Sequence, residues 1–349
     1  MANPVSARIA ALGGYQPGEQ PTDRTLVKLN TNENPYPPSP QVEEALRAAA
    51  HELNRYPAPM ADALRERAAR RYGLHRPEQV LVGNGSDELL AICLRACAVE
   101  GSRVAYAVPT YSLYRTLAAI AGAVPVEIPA AVPGRAYELP RELFEVDAEV
   151  KLVCNPNSPF GAPARLEQIV ELARCSHGLV VSDEAYVDFG GETALGAVAE
   201  CANLIVLRSF SKSFSLAGLR LGLAFGDDGL IAELAKVKDS YNVSRLAIAA
   251  GVAALDDYAW MERNVERIVR TRTRVVAAVI SAGYAVGESA TNFFWMRCGA
   301  RGGRDSYERL RAQGVLVRWF DAPGLRDGVR VTVGTDEEMD RFLAVLAAG

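Results

Sequence analysis

From about residue 40 to residue 240, short runs rich in Val, Ile and Leu alternate with stretches whose apolar residues recur every three or four positions. The runs at Val80–Val82, Arg103–Ala107, Val124–Ile128, Lys151–Cys154, Leu179–Ser182, Leu204–Leu207 and Leu221–Phe225 predict strands. Helical periodicity over Pro40–Ala50, Ala61–Tyr72, Ser86–Val99, Tyr111–Ala121, Arg165–Arg174 and Leu230–Lys238 predicts the helices between them. Strands that are apolar along their whole length are covered on both faces, as happens when helices pack on each side of a mostly parallel sheet. The reading is therefore α/β, with seven candidate strands. Its ligands are expected in the crevice beyond the C-terminal ends of those strands.

The pattern changes after about residue 245. Two helical segments, Arg245–Leu255 and Met261–Ala282, precede a strand at Asn292–Met296, a helix at Ser306–Gln313, strands at Val315–Phe320 and Gly328–Val333, and a helix from Thr335. This predicts a smaller α+β domain over 245–349. The arginines Arg263, Arg267, Arg270, Arg272 and Arg274 are expected on a solvated helix face. A formal net charge of −4 argues against nucleic acid as a partner, which would need a basic face. No run approaches the roughly twenty apolar residues that span a bilayer. The start of the chain carries no basic-then-apolar leader. The six cysteines are scattered without a CxxC pair, so no metal site is expected, and reduced thiols suit a cytoplasmic location.

Four motifs fall at predicted strand tips. Gly83-Asn84-Gly85-Ser86-Asp87-Glu88 joins a strand to a helix, and the free N–H groups of a helix start suit a phosphate. In Cys154-Asn155-Pro156-Asn157-Ser158-Pro159-Phe160-Gly161, two X-Pro steps stiffen the turn that carries Asn155. Val181-Ser182-Asp183-Glu184-Ala185-Tyr186 ends an apolar run with Asp183, a carboxylate that wants a cationic partner when buried. Arg208-Ser209-Phe210-Ser211-Lys212-Ser213-Phe214, followed by Gly218-Leu219-Arg220-Leu221-Gly222, places a lysine among small hydroxyl residues. Together these groups fit a cofactor with an aldehyde, a protonated pyridine, a phenolate and a phosphate. Ser209-Phe210-Ser211-Lys212 also matches the S-x-x-K nucleophile motif of penicillin-binding enzymes, but no K-T-G or S-D-N companion accompanies it.

With these motifs the sequence resembles the fold-type I, aspartate-aminotransferase-like enzymes, and within them the histidinol-phosphate aminotransferase family. The likeness extends to Gly14-Tyr15-Gln16-Pro17-Gly18, Lys28-Leu29-Asn30-Thr31-Asn32-Glu33-Asn34-Pro35-Tyr36, Arg55-Tyr56-Pro57, Pro109-Thr110-Tyr111, Val317-Arg318-Trp319-Phe320 and Val329-Arg330-Val331-Thr332-Val333-Gly334-Thr335. Aromatic-amino-acid aminotransferases and threonine-phosphate decarboxylases share the same cofactor residues.

The resemblance implies an N-terminal arm over 1–28 that contributes to the small domain and the active site, a large cofactor-binding domain over 29–244 and pyridoxal 5′-phosphate as cofactor. Lys212 would bind the cofactor's aldehyde covalently and then move a proton between substrate Cα and cofactor C4′. Asp183 would keep the pyridine nitrogen protonated. Tyr186 and Asn155 would hydrogen-bond the phenolate oxygen, and Tyr111 would stack on the ring. Gly85, Ser86, Asp87, Ser209 and Arg220 would hold the phosphate, with Tyr56 contributed by the second subunit of a homodimer that shares its sites.

Tyr15, Arg318 and Arg330, with Asn155, would meet the substrates. These are histidinol phosphate or imidazole-acetol phosphate in one half-reaction and glutamate or 2-oxoglutarate in the other. The sequence departs from the family pattern at Ser158 and Phe160, where Asn and Thr are more usual, and this bears on the pocket beside the substrate.

Overall fold

A computed structural model describes residues 4–14, 17–23, 25–130 and 137–348. Its strands are β1 (Val27–Lys28), β2 (Val80–Gly83), β3 (Arg103–Val108), β4 (Val124–Pro129), β5 (Val150–Cys154), β6 (Leu179–Asp183), β7 (Leu204–Ser209), β8 (Gly222–Phe225), β9 (Ala285–Val286), β10 (Phe293–Arg297), β11 (Val315–Leu316) and β12 (Gly328–Thr332). Seven of them form the main sheet in the order β2-β8-β7-β6-β5-β3-β4. Every pairing in it is parallel except those that β8 makes with β2 and β7. Every residue of β5, β6, β7 and β8 is buried, as apolar runs covered by helices on both faces require.

Register brings the strand tips together. Cys154 pairs with Asp183, Asp183 with Leu207, Ser209 with Gly222, and Gly83 also with Gly222. The ends of β2, β5, β6 and β7 and the start of the antiparallel β8 therefore share one rim. Gly222 is required there, because a Cβ would lie 2.6 Å from the carbonyl carbon of Gly85 and 2.7 Å from the nitrogen of Ser86.

The smaller unit is an antiparallel sheet in the order β12-β10-β9, with helices Tyr258–Ser281, Gly303–Ala312 and Asp336–Ala347. A capping box, with Thr335 and Glu338 each bonding the other's backbone N–H, starts the last of these.

Three sequence expectations are corrected. The helix Arg245–Asp256, expected in the second domain, packs on helices Pro40–Ala49 and Asp62–Arg71. Its Ala247, Ala250, Ala254 and Leu255 join the large core. The units meet along the Tyr258–Ser281 helix, whose Met261 lies in the large core and whose Ile268, Val275 and Val279 lie in the small one. At the other end of the chain, β1 belongs to the arm expected to join the small domain and pairs there with β11, and Leu29 just beyond it lies in the small core.

The strand expected over Val315–Phe320 spans only Val315–Leu316. Beyond it the chain changes partner, and Arg318 bridges antiparallel to Arg330. Nor is the arginine face wholly solvated. Arg272 is half-buried and donates to the main-chain carbonyls of Phe189 and Thr291, and burial pushes its pKa down to about 10. The carbonyls it reaches are 83 and 19 residues away in the chain, so helical spacing alone gives no hint of them.

Among the described residues, no helix is long and apolar enough to cross a membrane.

Candidate active site

Asp183 ends β6 on the shared rim, buried with 4% exposure. Tyr114 donates to its Oδ2 at 2.9 Å. Oδ1 has no hydrogen-bond partner among the described residues, and the Ala185 N–H nearby steadies the charge without closing a bond of normal geometry on it. Burial pushes this carboxyl up to about 6, against the opposing pull of the Tyr114 hydroxyl. A buried carboxylate with one vacant oxygen wants a cationic N–H, and a protonated pyridine nitrogen supplies one.

Lys212 lies just past β7. The residue is half-buried, and its ammonium lies 5.6 Å from the centre of the Tyr186 ring. Burial first, then the Arg330 guanidinium, pushes its pKa down to about 8, while Asp87 and Glu33 pull the other way. A lysine so placed is a usable nucleophile and base near neutral pH. Its loop is held from several sides. Asn34 Nδ2 donates to the carbonyls of Lys212 (2.9 Å) and Ser213 (3.2 Å), and Ser213 Oγ donates to Asp188 at 2.6 Å. Asp188 is itself anchored by Arg208 at 2.6 Å, and Arg208 forms a second ion pair, 3.4 Å long, with the buried Glu184. Burial alone would lower the pKa of Arg208, but Asp188 and Glu184 outweigh it and keep the guanidinium charged.

Opposite the lysine, the helix Gly85–Cys97 begins in the rim and presents its unpaired first-turn N–H groups there. Gly85 has φ +77°, and a Cβ on it would come within 2.8 Å of the Arg220 guanidinium. Arg220 donates to Ser211 Oγ (3.1 Å) and pairs with Asp87 (3.2 Å), whose other oxygen accepts from Tyr111 at 3.1 Å. Ser209 is buried and accepts from the Ser211 N–H. Donors from three elements thus converge on one spot beside Lys212, an arrangement that suits a phosphate.

The recognition side is built from the small unit. Arg330 on β12 donates to Ser158 Oγ (3.3 Å) and to the Asn30 carbonyl (3.1 Å). Its guanidinium lies 5.2 Å from the Phe293 ring and 5.4 Å from the Phe320 ring. Arg318 donates to the Pro17 carbonyl at 3.1 Å and lies 5.2 Å from the Phe320 ring.

The structure thus brings Gly85, Ser86, Asp87, Tyr111, Asp183, Tyr186, Ser209, Lys212 and Arg220 to the rim, with Arg318 and Arg330 on the β12 side. Asn155 lies on the same rim, its N–H donating to the Asp183 carbonyl at 2.9 Å. It is fully buried, and both ends of its amide are engaged by main chain, Nδ2 with the Glu192 carbonyl (2.9 Å) and Oδ1 with the Ala164 N–H (3.0 Å). It therefore sets the loop, and only its second amide hydrogen remains to reach a ring oxygen. Ser158, from the same loop, faces Arg330 instead. Tyr56 is 77% exposed and stacks on Tyr241 at 4.4 Å. Tyr15 lies outside the described residues.

Several residues at the site escaped sequence reasoning. Tyr114 had a usable signal, since it follows Tyr111 by three residues. Arg208, Glu184 and Asp188 lay inside or beside motifs already singled out, with nothing local to show that they pair.

A family model for aminotransferase class I and II matches residues 24–346, and the chain belongs to that family. Among its relatives, histidinol-phosphate aminotransferase 1 of Trichormus variabilis is 41% identical over 97% of this chain and 96% of its own length. The histidinol-phosphate aminotransferase of Geotalea uraniireducens is 43% identical over 98% of each. Among solved structures, histidinol-phosphate aminotransferase from Sinorhizobium meliloti in complex with pyridoxal-5′-phosphate superposes with a TM-score of 0.88. It is 26% identical and covers 100% of this chain and 98% of that one.

Proposed function

We propose that the chain is a pyridoxal-phosphate-dependent aminotransferase that exchanges the amino group of histidinol phosphate with 2-oxoglutarate. The observation that carries this reading is the pairing of a buried, half-satisfied Asp183 with a lysine pushed down to about 8 on one rim. When bound, the cofactor supplies an aldehyde conjugated to a pyridine ring that accepts the electron pair left when the substrate Cα–H bond breaks. Lys212 would move the proton between the substrate Cα and the cofactor C4′. Asp183 holds the ring-nitrogen proton in place. Tyr186 donates to the phenolic oxygen. The first turn of Gly85–Cys97, with Ser209 and Arg220, binds the phosphate.

Arg330 and Arg318 receive the substrate's anions, and Tyr15 belongs with them. Histidinol phosphate carries a phosphate and no carboxylate, while glutamate carries two carboxylates. Guanidinium forks serve both anions. Histidinol-phosphate aminotransferase relatives matched over nearly the whole chain support this choice of substrate. The exposed Tyr56 is assigned to the phosphate site of a second copy in a homodimer, and the cytoplasm is the expected location.

The test is to incubate the yellow, cofactor-loaded protein separately with histidinol phosphate, phenylalanine, threonine phosphate and glutamate. The bound chromophore should bleach with histidinol phosphate and with glutamate, and the product should be the ketone. Bleaching by phenylalanine at high kcat/KM with none by histidinol phosphate would make this an aromatic-amino-acid aminotransferase. Loss of CO2 from threonine phosphate would make it a decarboxylase.

A further inference from the structure

Asn32 is 1% exposed and has φ +54°, a left-handed backbone that Asn, Asp and Gly adopt at less cost than other residues. Its own N–H donates to Thr332 Oγ1 at 3.0 Å, and the Thr332 hydroxyl donates back to Asn32 Oδ1 at 3.1 Å. With the Thr332 hydroxyl donating to it, the amide oxygen lies on the Thr332 side. The other end, Nδ2, then faces Tyr186 and donates to its hydroxyl oxygen at 3.0 Å. Asn292 Nδ2 donates to the Asn32 carbonyl at 3.0 Å and fixes the backbone. Because Tyr186 accepts from Asn32, its own hydrogen must point elsewhere. Lys212 Nζ lies 5.6 Å from the Tyr186 ring centre, so a cofactor held by that lysine comes within the neighbourhood of this hydroxyl.

We propose that Asn32 is a positioning residue that turns the Tyr186 hydroxyl hydrogen toward the phenolic oxygen of the bound cofactor, so that β12 sets the charge on that oxygen through Thr332. The proposal rests on the cofactor reading above. A donated hydrogen bond steadies the oxygen as an anion and weakens its hold on the proton shared with the neighbouring nitrogen. The pH at which the bound chromophore changes colour therefore reports which way the hydroxyl points, independently of turnover.

Asn32→Asp keeps the size and tolerates the left-handed backbone, but its carboxylate accepts from Tyr186 instead of donating to it. In that variant the hydroxyl turns away from the cofactor, and the spectral midpoint should rise by about one pH unit, a tenfold change in proton affinity. Asn32→Gly, also compatible with φ +54°, deletes the donor and should raise the midpoint by less. Thr332→Val frees the amide to flip and should do the same. Spectral titration of the three holoproteins, each checked for melting temperature, tests the assignment. A lower melting temperature with a midpoint matching the unchanged protein in both Asn32 variants would make Asn32 structural only and overturn the proposal. If Asn32→Asp does not fold, the midpoint of Asn32→Gly decides between the two roles. If the unchanged protein takes up no chromophore, the cofactor reading itself falls.

Discussion

The strand tips around Lys212 and the β12 side bearing Arg330 both present cations to the same crevice, yet they hold them differently. Beside the lysine, charge is matched within the protein. Arg208 sits between Glu184 and Asp188, and Asp188 holds Ser213, the next residue after the lysine. On the β12 side, a hydroxyl, two main-chain carbonyls and two aromatic rings orient Arg330 and Arg318. Neutral oxygens and ring faces fix the direction in which a guanidinium points. The first arrangement suits a group that must keep one position through a proton transfer. The second suits groups that accept a phosphate in one half-reaction and a carboxylate in the next.

If the two sides have these different duties, the largest loss should come at the lysine. Lys212→Ala should lower turnover by on the order of 10⁴-fold or more, because it removes both the nucleophile and the base. Cofactor should still bind through Arg220, Ser209 and the helix start, but borohydride should no longer fix it to the chain. A label found on any other lysine of the unchanged protein would move the site. Next in size is Asp183→Asn, which keeps the shape and the Tyr114 contact but removes the buried charge. Breaking a buried charge pair costs on the order of 3 kcal/mol, so kcat should fall by roughly 10²-fold with KM little changed. Near-unchanged kcat would leave Asp183 a packing residue.

The β12 side should give smaller and more selective losses. Arg330→Ala should weaken both half-reactions, since either anion docks there, and Arg318→Ala should harm histidinol phosphate more than phenylalanine, which has no second anion. Each lost charge-assisted contact costs on the order of 1.5–3 kcal/mol, more than tenfold in kcat/KM. Equal loss toward phenylalanine and histidinol phosphate in Arg318→Ala would dissolve the assigned division between the two arginines.

The two sides also differed in how far the sequence revealed them. Gly85, Asp183, Ser209, Lys212 and Arg220 sit at the ends of apolar runs, so a strand pattern and a short motif suffice to place them on one rim. The groups that orient them are joined across long separations: Tyr114 to Asp183 over 69 residues, and Asn32 to Thr332 over 300. No local periodicity encodes such pairs. The helix Arg245–Asp256 was misplaced for a related reason. Its small apolar residues suit any core, and only packing on Pro40–Ala49 decides which one. Asn155 was legible as a strand-tip residue, but not the main-chain contacts to Glu192 and Ala164 that fix its amide from 37 and 9 residues away.

The smallest expected effect joins the two sides. To attack the cofactor's aldehyde, Lys212 must be neutral. At an ordinary pKa of 10.5 roughly three lysines in 10⁴ are neutral at pH 7, whereas at about 8 roughly one in ten is. The rate at which cofactor-free protein captures pyridoxal phosphate should therefore climb with pH and level off above about 8. Between about 8 and 10.5 the unfolded chain holds a proton that the folded one lacks. Over that window Lys212 makes the cofactor-free fold more stable as pH rises, and the contribution is lost as pH falls through about 8. Burial is the larger cause of the depression and Arg330 the second. Arg330→Ala should thus move the capture midpoint upward but not back to 10.5, while Asp87→Asn, which removes a charge that favours the ammonium, should move it downward. Stopped-flow absorbance at fixed cofactor concentration across pH reads both shifts. Opposite signs for the two variants would show the lysine's basicity set jointly by the β12 side and the helix start. A midpoint unmoved in Arg330→Ala would mean that the two sides of the crevice act independently and that burial alone tunes Lys212.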